Sequence, residues 1–264
     1  MGSSAATSER PWAPLRIAGW GVAINAAVRV VGMLLESRSL AASVAQAIVA
    51  EWGTGRLDVR WTAPDDMERT SGPLVARRIA IGAAFGAGAG AMVALFLVST
   101  RAVVLERAPA QISMIATALL AAGLTSVRDE LLLRGVVLRA LAGTSSAVPK
   151  VIACGVIGAA AAIGEPGTAL ATVAVELILG LGFGALWIHD RGAWLAWGAH
   201  TSWLFVNALL LGGGMFEARV AATSWGGGNA GPLGGMAAVL ALLPVASVSI
   251  LWATLATSRA ARVR

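Results

Sequence analysis

The chain has 264 residues, 57% of them hydrophobic and only 13% charged, and its mean hydropathy is +0.76. That balance excludes a disordered chain and an ordinary soluble globule. The net charge of +6 and a pI near 11.3 do not point to nucleic acid, because basic residues flanking apolar spans follow the positive-inside rule and no basic stripe interleaved with aromatics occurs.

Residues 1–14 are polar and read as a loose tail; position six is Ala, where a myristoylation signal wants Ser or Thr. The apolar stretch behind Arg10 and Arg16 is too long for a signal-peptide core and holds Arg29, so it predicts a span near 15–35. Leu40, Val44, Ile48 and Trp52 recur every four residues and predict an amphipathic helix, lying on the membrane surface or packing on the bundle. Residues 53–78 are polar and form the main soluble loop.

Further apolar runs near 79–99, 110–127 (continuing as helix to about 142), 147–163, 168–188, 193–212 and 234–257 are long enough to span. The expected fold is therefore all-α, a polytopic membrane helix bundle of about seven spans with an amphipathic helix and a polar loop after the first. Gly82, Gly86 and Gly90 are spaced by four, as are Gly180 and Gly184; mid-span, such spacing predicts close helix packing. Gly226 to Gly235 is a turn-rich loop without a Lys for nucleotide binding. Lys and Arg number 14 in loops 36–78, 128–150, 189–192 and the tail after 257, against 5 in the N-terminal tail and the other loops. The richer side is expected in the cytoplasm, with the N-terminus outside, the C-terminus inside and the acidic motif opening inward.

The lone cysteine, Cys154, sits in an apolar run, so there is no disulfide framework. With only His189 and His200, a three-histidine zinc site cannot be built from one chain, and no metal or other cofactor is expected.

Two polar stretches stand out. Ser126-Val-Arg-Asp-Glu-Leu-Leu-Leu-Arg-Gly135 sets Arg128, Asp129, Glu130 and Arg134 at the end of an apolar segment. A charge near hydrocarbon costs roughly 2.5 kcal/mol or more on insertion scales, so such groups face the protein interior and have a job. In a helix Glu130 and Arg134 share one face, and Asp129 is turned about 100° from Glu130. The plain alternative is an ion pair that ends a span. In the second stretch, Gly198 to Asn207, His200, Trp203 and Asn207 share a helical face, where a histidine is either a hydrogen-bonded structural group or a functional one.

Together these stretches resemble the CAAX prenyl endopeptidase and bacteriocin-processing (CPBP, or Abi) family of intramembrane proteases. That family carries Glu-Glu-x-x-x-Arg, then Phe-x-x-x-His, then a late His often followed four residues on by Asn. Asp129-Glu130-Leu-Leu-Leu-Arg134 matches the first motif with Asp for its leading Glu, and the run from Gly180 to His200 resembles the approach to the last. The middle motif falls on Gly158 and Ala162, which lack its Phe and His; Glu165 lies near the missing histidine. Leu204 stands where the late Asn is expected, and Asn207 is one turn further.

The resemblance implies a polar tail (1–14), N-terminal spans with the amphipathic helix and loop (15–109), a protease-like core (110–257) and a basic tail (258–264). It implies an endopeptidase cleaving a lipidated or membrane-associated peptide terminus from within the bilayer, in a bacterial cell membrane. Asp129 would activate water, Glu130 and Arg134 would hold its charge and orientation, and His200 would polarise the carbonyl, with Trp203 and Asn207 binding substrate or supporting the site. Glu130 as base is the other assignment. Two further readings stay open: a catalytically silent relative binding a peptide or partner protein, and a small-solute transporter using the same polar groups as a relay.

Overall fold

The computed structural model describes residues 13–36, 39–62, 71–144, 146–163, 168–220 and 223–262. The N-terminal tail up to residue 12, residues 63–70 of the polar loop and Glu165 lie outside the described residues. The helices are α1 (Ala13–Leu34), α2 (Leu40–Gly55), α3 (Gly72–Ser99), α4 (Ile112–Asp129), α5 (Val136–Ala140), α6 (Ala147–Ile163), α7 (Leu170–Asp190), α8 (Trp194–Leu210), the short α9 (Thr223–Gly226) and α10 (Met236–Arg262). A π-helical segment, Glu130–Gly135, joins α4 to α5 without a break.

Five of these elements are long and apolar enough to cross a membrane: α1, α3, the continuous Ile112–Ala140 helix, α7 and α10. The other two expected spans are α6 and α8, each 17 residues. Large apolar side chains lie on the outer faces, among them Ile112, Leu170, Leu34 and Leu95, at 70% exposure or more. In water that would be costly; next to acyl chains it is the expected solution. The protein is an all-α, polytopic integral membrane protein.

Helix α2 departs from expectation. Its small residues Ala42, Ala47, Ala50 and Gly53 turn inward with Gln46, whereas Ile48 and Trp52 remain exposed. Gln46 Nε2 donates to the Val28 carbonyl, and Gly53 lies against Ile24, so α2 runs back antiparallel along α1. The chain therefore returns before α3 begins. Arg16 on α1, Arg56 and Asp58 after α2, and Arg139 on α5 line one cleft and lie at one end of the bundle. This corrects the expectation that the N-terminus lies opposite the loops 36–78 and 128–150: an extra antiparallel helix brings it to their side.

Glycines set the closest contacts. A methyl group on Gly82 would run into the Leu195 carbonyl oxygen and one on Gly86 into that of Ala199, so α3 and α8 pack backbone to backbone. Both chains ascend together along this seam, from Gly82 beside Leu195 to Gly90 beside Val206, and so the helices are parallel. They end near each other, and the segments just beyond them pair as an antiparallel ribbon of β1 (Val103–Arg107) and β2 (Phe216–Val220). That ribbon is a small addition to the all-α expectation. Helices α6 and α7 form a second tight seam, where a Cβ on Gly180 would lie 2.6 Å from the Cys154 carbonyl oxygen and one on Gly158 2.8 Å from that of Glu176.

At the same end as Arg16, the buried Arg78 guanidinium pairs with Asp190 at 2.6 Å, and Asp190 also accepts from the Leu195 amide at the start of α8. Trp61, Trp194 and Trp197 cluster beside it, with centroids 4.7–6.3 Å apart. Amphipathic rings of this kind favour the membrane–water boundary.

Gly86→Ala is expected to lower stability by about 1–3 kcal/mol through overpacking, because a backbone carbonyl cannot move aside. Gly88→Ala, whose methyl meets nothing within 4 Å, serves as the neutral control. Thermal unfolding of the detergent-solubilised protein distinguishes the two.

Candidate active site

The π-helical turn decides how the charged motif is presented. One extra residue in the turn rotates the downstream residues relative to a regular helix, and such insertions occur at functional positions. Glu130 points into the bundle and is fully buried. Its Oε1 lies 2.8 Å from His200 Nδ1, its Oε2 accepts from Trp187 Nε1 at 2.6 Å, and Arg134 Nη1 stands 3.8 Å away. A carboxylate taken out of water needs such partners; unpaired, it would be driven to its neutral form.

Phe183, one turn before Trp187 on α7, stacks on the His200 ring at 4.5 Å and lies under the Arg134 guanidinium at 5.4 Å. One aromatic ring thus steadies two of the Glu130 partners, His200 and Arg134. An ionised Glu130 can only accept, so it fixes the proton on Nδ1 and leaves Nε2 for a second partner. Helix α8 is in turn tied to α4: Ser126 Oγ and Thr201 Oγ1 are 2.6 Å apart, and Trp197 Nε1 donates to the Gly123 carbonyl.

Asp129 is not part of this contact. It turns away, as the 100° rotation requires, and pairs with Arg128 at 2.7 Å. Arg128 also donates to Gln46 on α2, which ties the ion pair to the returning helix. Asp129 borders a cavity of about 790 Å³ between α1, α2, the motif helix, α6 and α7. Arg29, Gln46, Arg128 and Thr172 bring polar groups to it, together with Glu176. Gly158 and Ala162, the positions of the missing Phe and His, line the same cavity.

The structure therefore joins Glu130, Arg134 and His200 and sets Asp129 beside them, facing the cavity. Glu130, Arg134 and His200 do not line that cavity. Nor do Trp203 and Asn207: Trp203 is core, and Asn207 Nδ2 donates to the Trp203 carbonyl while its buried Oδ1 has no partner among the described residues. Both lie on the part of α8 that packs against α3, where Asn207 approaches Gly90. Neither residue borders the cavity that holds Asp129.

Three contributors were missed from the sequence. Trp187 and Phe183 looked like ordinary core aromatics of an apolar span. Glu176 carried a usable signal, since it is a lone acid inside the run 168–188 and intramembrane ionisable residues are functional candidates by default.

Residues 110–206 match the family model described as type II CAAX prenyl endopeptidase Rce1-like. The matched segment runs from the start of α4 through most of α8 and contains every residue of the Glu130 cluster, as well as Asp129 and Glu176; Asn207 lies just beyond it. No curated protein and no solved structure matches the chain. Over residues 110–206 the chain is similar to type II CAAX prenyl endopeptidase Rce1-like proteins, and this match supports its assignment to the CPBP family.

Proposed function

We propose that the protein is an intramembrane endopeptidase that cleaves a lipid-anchored peptide near its terminus. The observation that carries the reading is the buried Glu130–His200 contact of 2.8 Å, one residue along the chain from Asp129, which lines the cavity. In this reading Asp129 takes a proton from a water molecule that attacks the peptide carbonyl. In its doubly protonated form His200 keeps Nδ1–H on Glu130 and donates Nε2–H to the developing oxyanion, and in a dry site one such donor is worth about 3 kcal/mol. Arg134 and Trp187 hold the Glu130 carboxyl in place, which makes them positioning residues.

A second feature supports a lipidated substrate. An apolar groove of about 550 Å³ between α1, the motif helix and α6 adjoins the polar cavity, sharing Asn25, Arg29, Leu133 and Ala161 with it. A hydrocarbon chain in the groove would leave its attached peptide in the cavity. The silent-relative reading is favoured by one observation: Gly158 and Ala162 bring no imidazole to the cavity wall.

The basic end of the bundle, with Arg16, Arg56, Arg60, Arg139 and Arg191, opposes an end with Arg101, Arg107 and Arg219. The positive-inside tendency assigns the first end to the cytoplasm. The cavity extends toward the other end through Met33, Ala162 and Thr168, so its mouth is assigned to the outer side.

Asp129→Asn is expected to reduce cleavage of a lipidated peptide in proteoliposomes by about 10²–10⁴-fold, and His200→Ala by about 10²–10³-fold. Undiminished turnover in either variant removes that residue from the mechanism, and peptide binding without cleavage by the wild type establishes the silent relative. Ala160→Phe, which fills the groove, should raise KM for the lipidated peptide about tenfold and leave that for the unlipidated peptide unchanged. In a Cys154→Ala background, cysteine at Ala110 should react with an impermeant maleimide in intact cells, and cysteine at Ala142 only after lysis; both positions are exposed. The reverse pattern would put the cavity mouth in the cytoplasm.

A further inference from the structure

We infer that Glu176 is a catalytic residue, the proton donor paired with Asp129 across the cavity, doing the work for which related sequences place a histidine at the position of Ala162. The inference rests on the peptidase reading above and extends it from a single base to a carboxylate pair.

Three observations carry it. Ala162 and Gly158 on α6 line the cavity wall together with Thr172 and Glu176 on α7, so Glu176 borders the same cavity as the vacated position, and its backbone packs on Gly158, one turn from Ala162. The absence of a side chain at Gly158 is what allows this closeness: a Cβ there would lie 2.8 Å from the Glu176 carbonyl oxygen, and bulk at this position would push α7 and Glu176 away. Finally, Asp129 has its counter-charge in place at 2.7 Å in Arg128, whereas Glu176 forms no ion pair or side-chain hydrogen bond among the described residues. Two carboxylates on one cavity with unequal surroundings can divide into base and acid. The proposal gives Asp129, with Arg128 at its side, the ionised role and Glu176 the protonated one.

The charged groups around Glu176 are Asp129, Arg128 and Arg134 on the motif helix, Arg29 on α1 and His200 on α8. Helix α10, packed on the other side of α7, has no titratable residue before position 258. In the reaction, the water oxygen bonds to the peptide carbonyl carbon and its proton passes to Asp129. Glu176 protonates the amide nitrogen as the C–N bond breaks. One water is consumed, and a carboxylic acid and an amine leave. Transfer of the proton from Asp129 to Glu176, through the next water, resets the pair.

The test uses the full-length protein in proteoliposomes with a lipidated peptide whose terminal residues are released. Glu176→Gln should lower kcat by about 10²-fold or more with little change in KM. A donor must be protonated to act, so the alkaline fall in the wild-type kcat profile should disappear in this variant, leaving only the residual rate. Glu176→Asp should keep the alkaline fall at reduced kcat. Adding Ala162→His to Glu176→Gln should recover about tenfold or more. An infrared difference spectrum should show a protonated-carboxyl band in the wild type that Glu176→Gln lacks. Glu176→Gln turnover within about threefold of wild type, or persistence of that band in the variant, overturns the proposal with the peptidase reading intact. A wild type that cleaves nothing overturns the peptidase reading itself and this proposal with it.

Discussion

The contact on which the architecture depends is the one between Glu130 and His200. Removing a carboxylate from water costs several kcal/mol even after relaxation, and Glu130 has no exposure at all. The cost is offset only while Trp187, His200 and Arg134 all stay in place. These partners come from α7, α8 and the motif helix, so the satisfaction of one charge requires three helices to hold their relative heights. The glycine seams answer that requirement: α8 is held in register against α3 by Gly82 and Gly86, and α7 against α6 by Gly158 and Gly180. Backbone-to-backbone packing tolerates little sliding, which is what a buried polar cluster demands.

The rotation of about 100° between successive helical residues lets two adjacent acids serve different surroundings. Glu130 enters a closed cluster without solvent, and Asp129, the preceding residue, faces a cavity with an arginine at its side. Neighbouring carboxylates in unlike environments can take unlike chemical parts. Arg128, which on the linear chain looks like one more basic residue at the end of a span, binds both Asp129 and Gln46 and so couples the motif to α2.

Much of the bundle was legible in the sequence because apolar runs near twenty residues and glycines spaced by four leave few other physical solutions. The meeting of Glu130, Arg134 and His200 was legible in outline, since polar groups inside a span must find one another. Helix α2 was not, because its pattern is inverted. Leu40, Val44, Ile48 and Trp52 left two placements open, on the membrane surface or against the bundle, and the helix packs on the bundle with its small residues while most of the bulky face turns outward. Water-based amphipathic reasoning therefore misjudged the chain's return and the side of its N-terminus. The π turn has no residue signature, and the β1–β2 pairing depends on the parallel α3–α8 seam, which only the three-dimensional contacts reveal.

The apolar groove sits on the outer face of the bundle, where Val22 on its rim is 71% exposed. A molecule anchored by a hydrocarbon tail would enter it sideways, already confined to the plane of the sheet of lipids. Its availability would then be set by its mole fraction among lipids, in two dimensions, and not by its amount per litre. Diluting the vesicles would change nothing, whereas diluting the anchored molecule with more lipid would starve the groove.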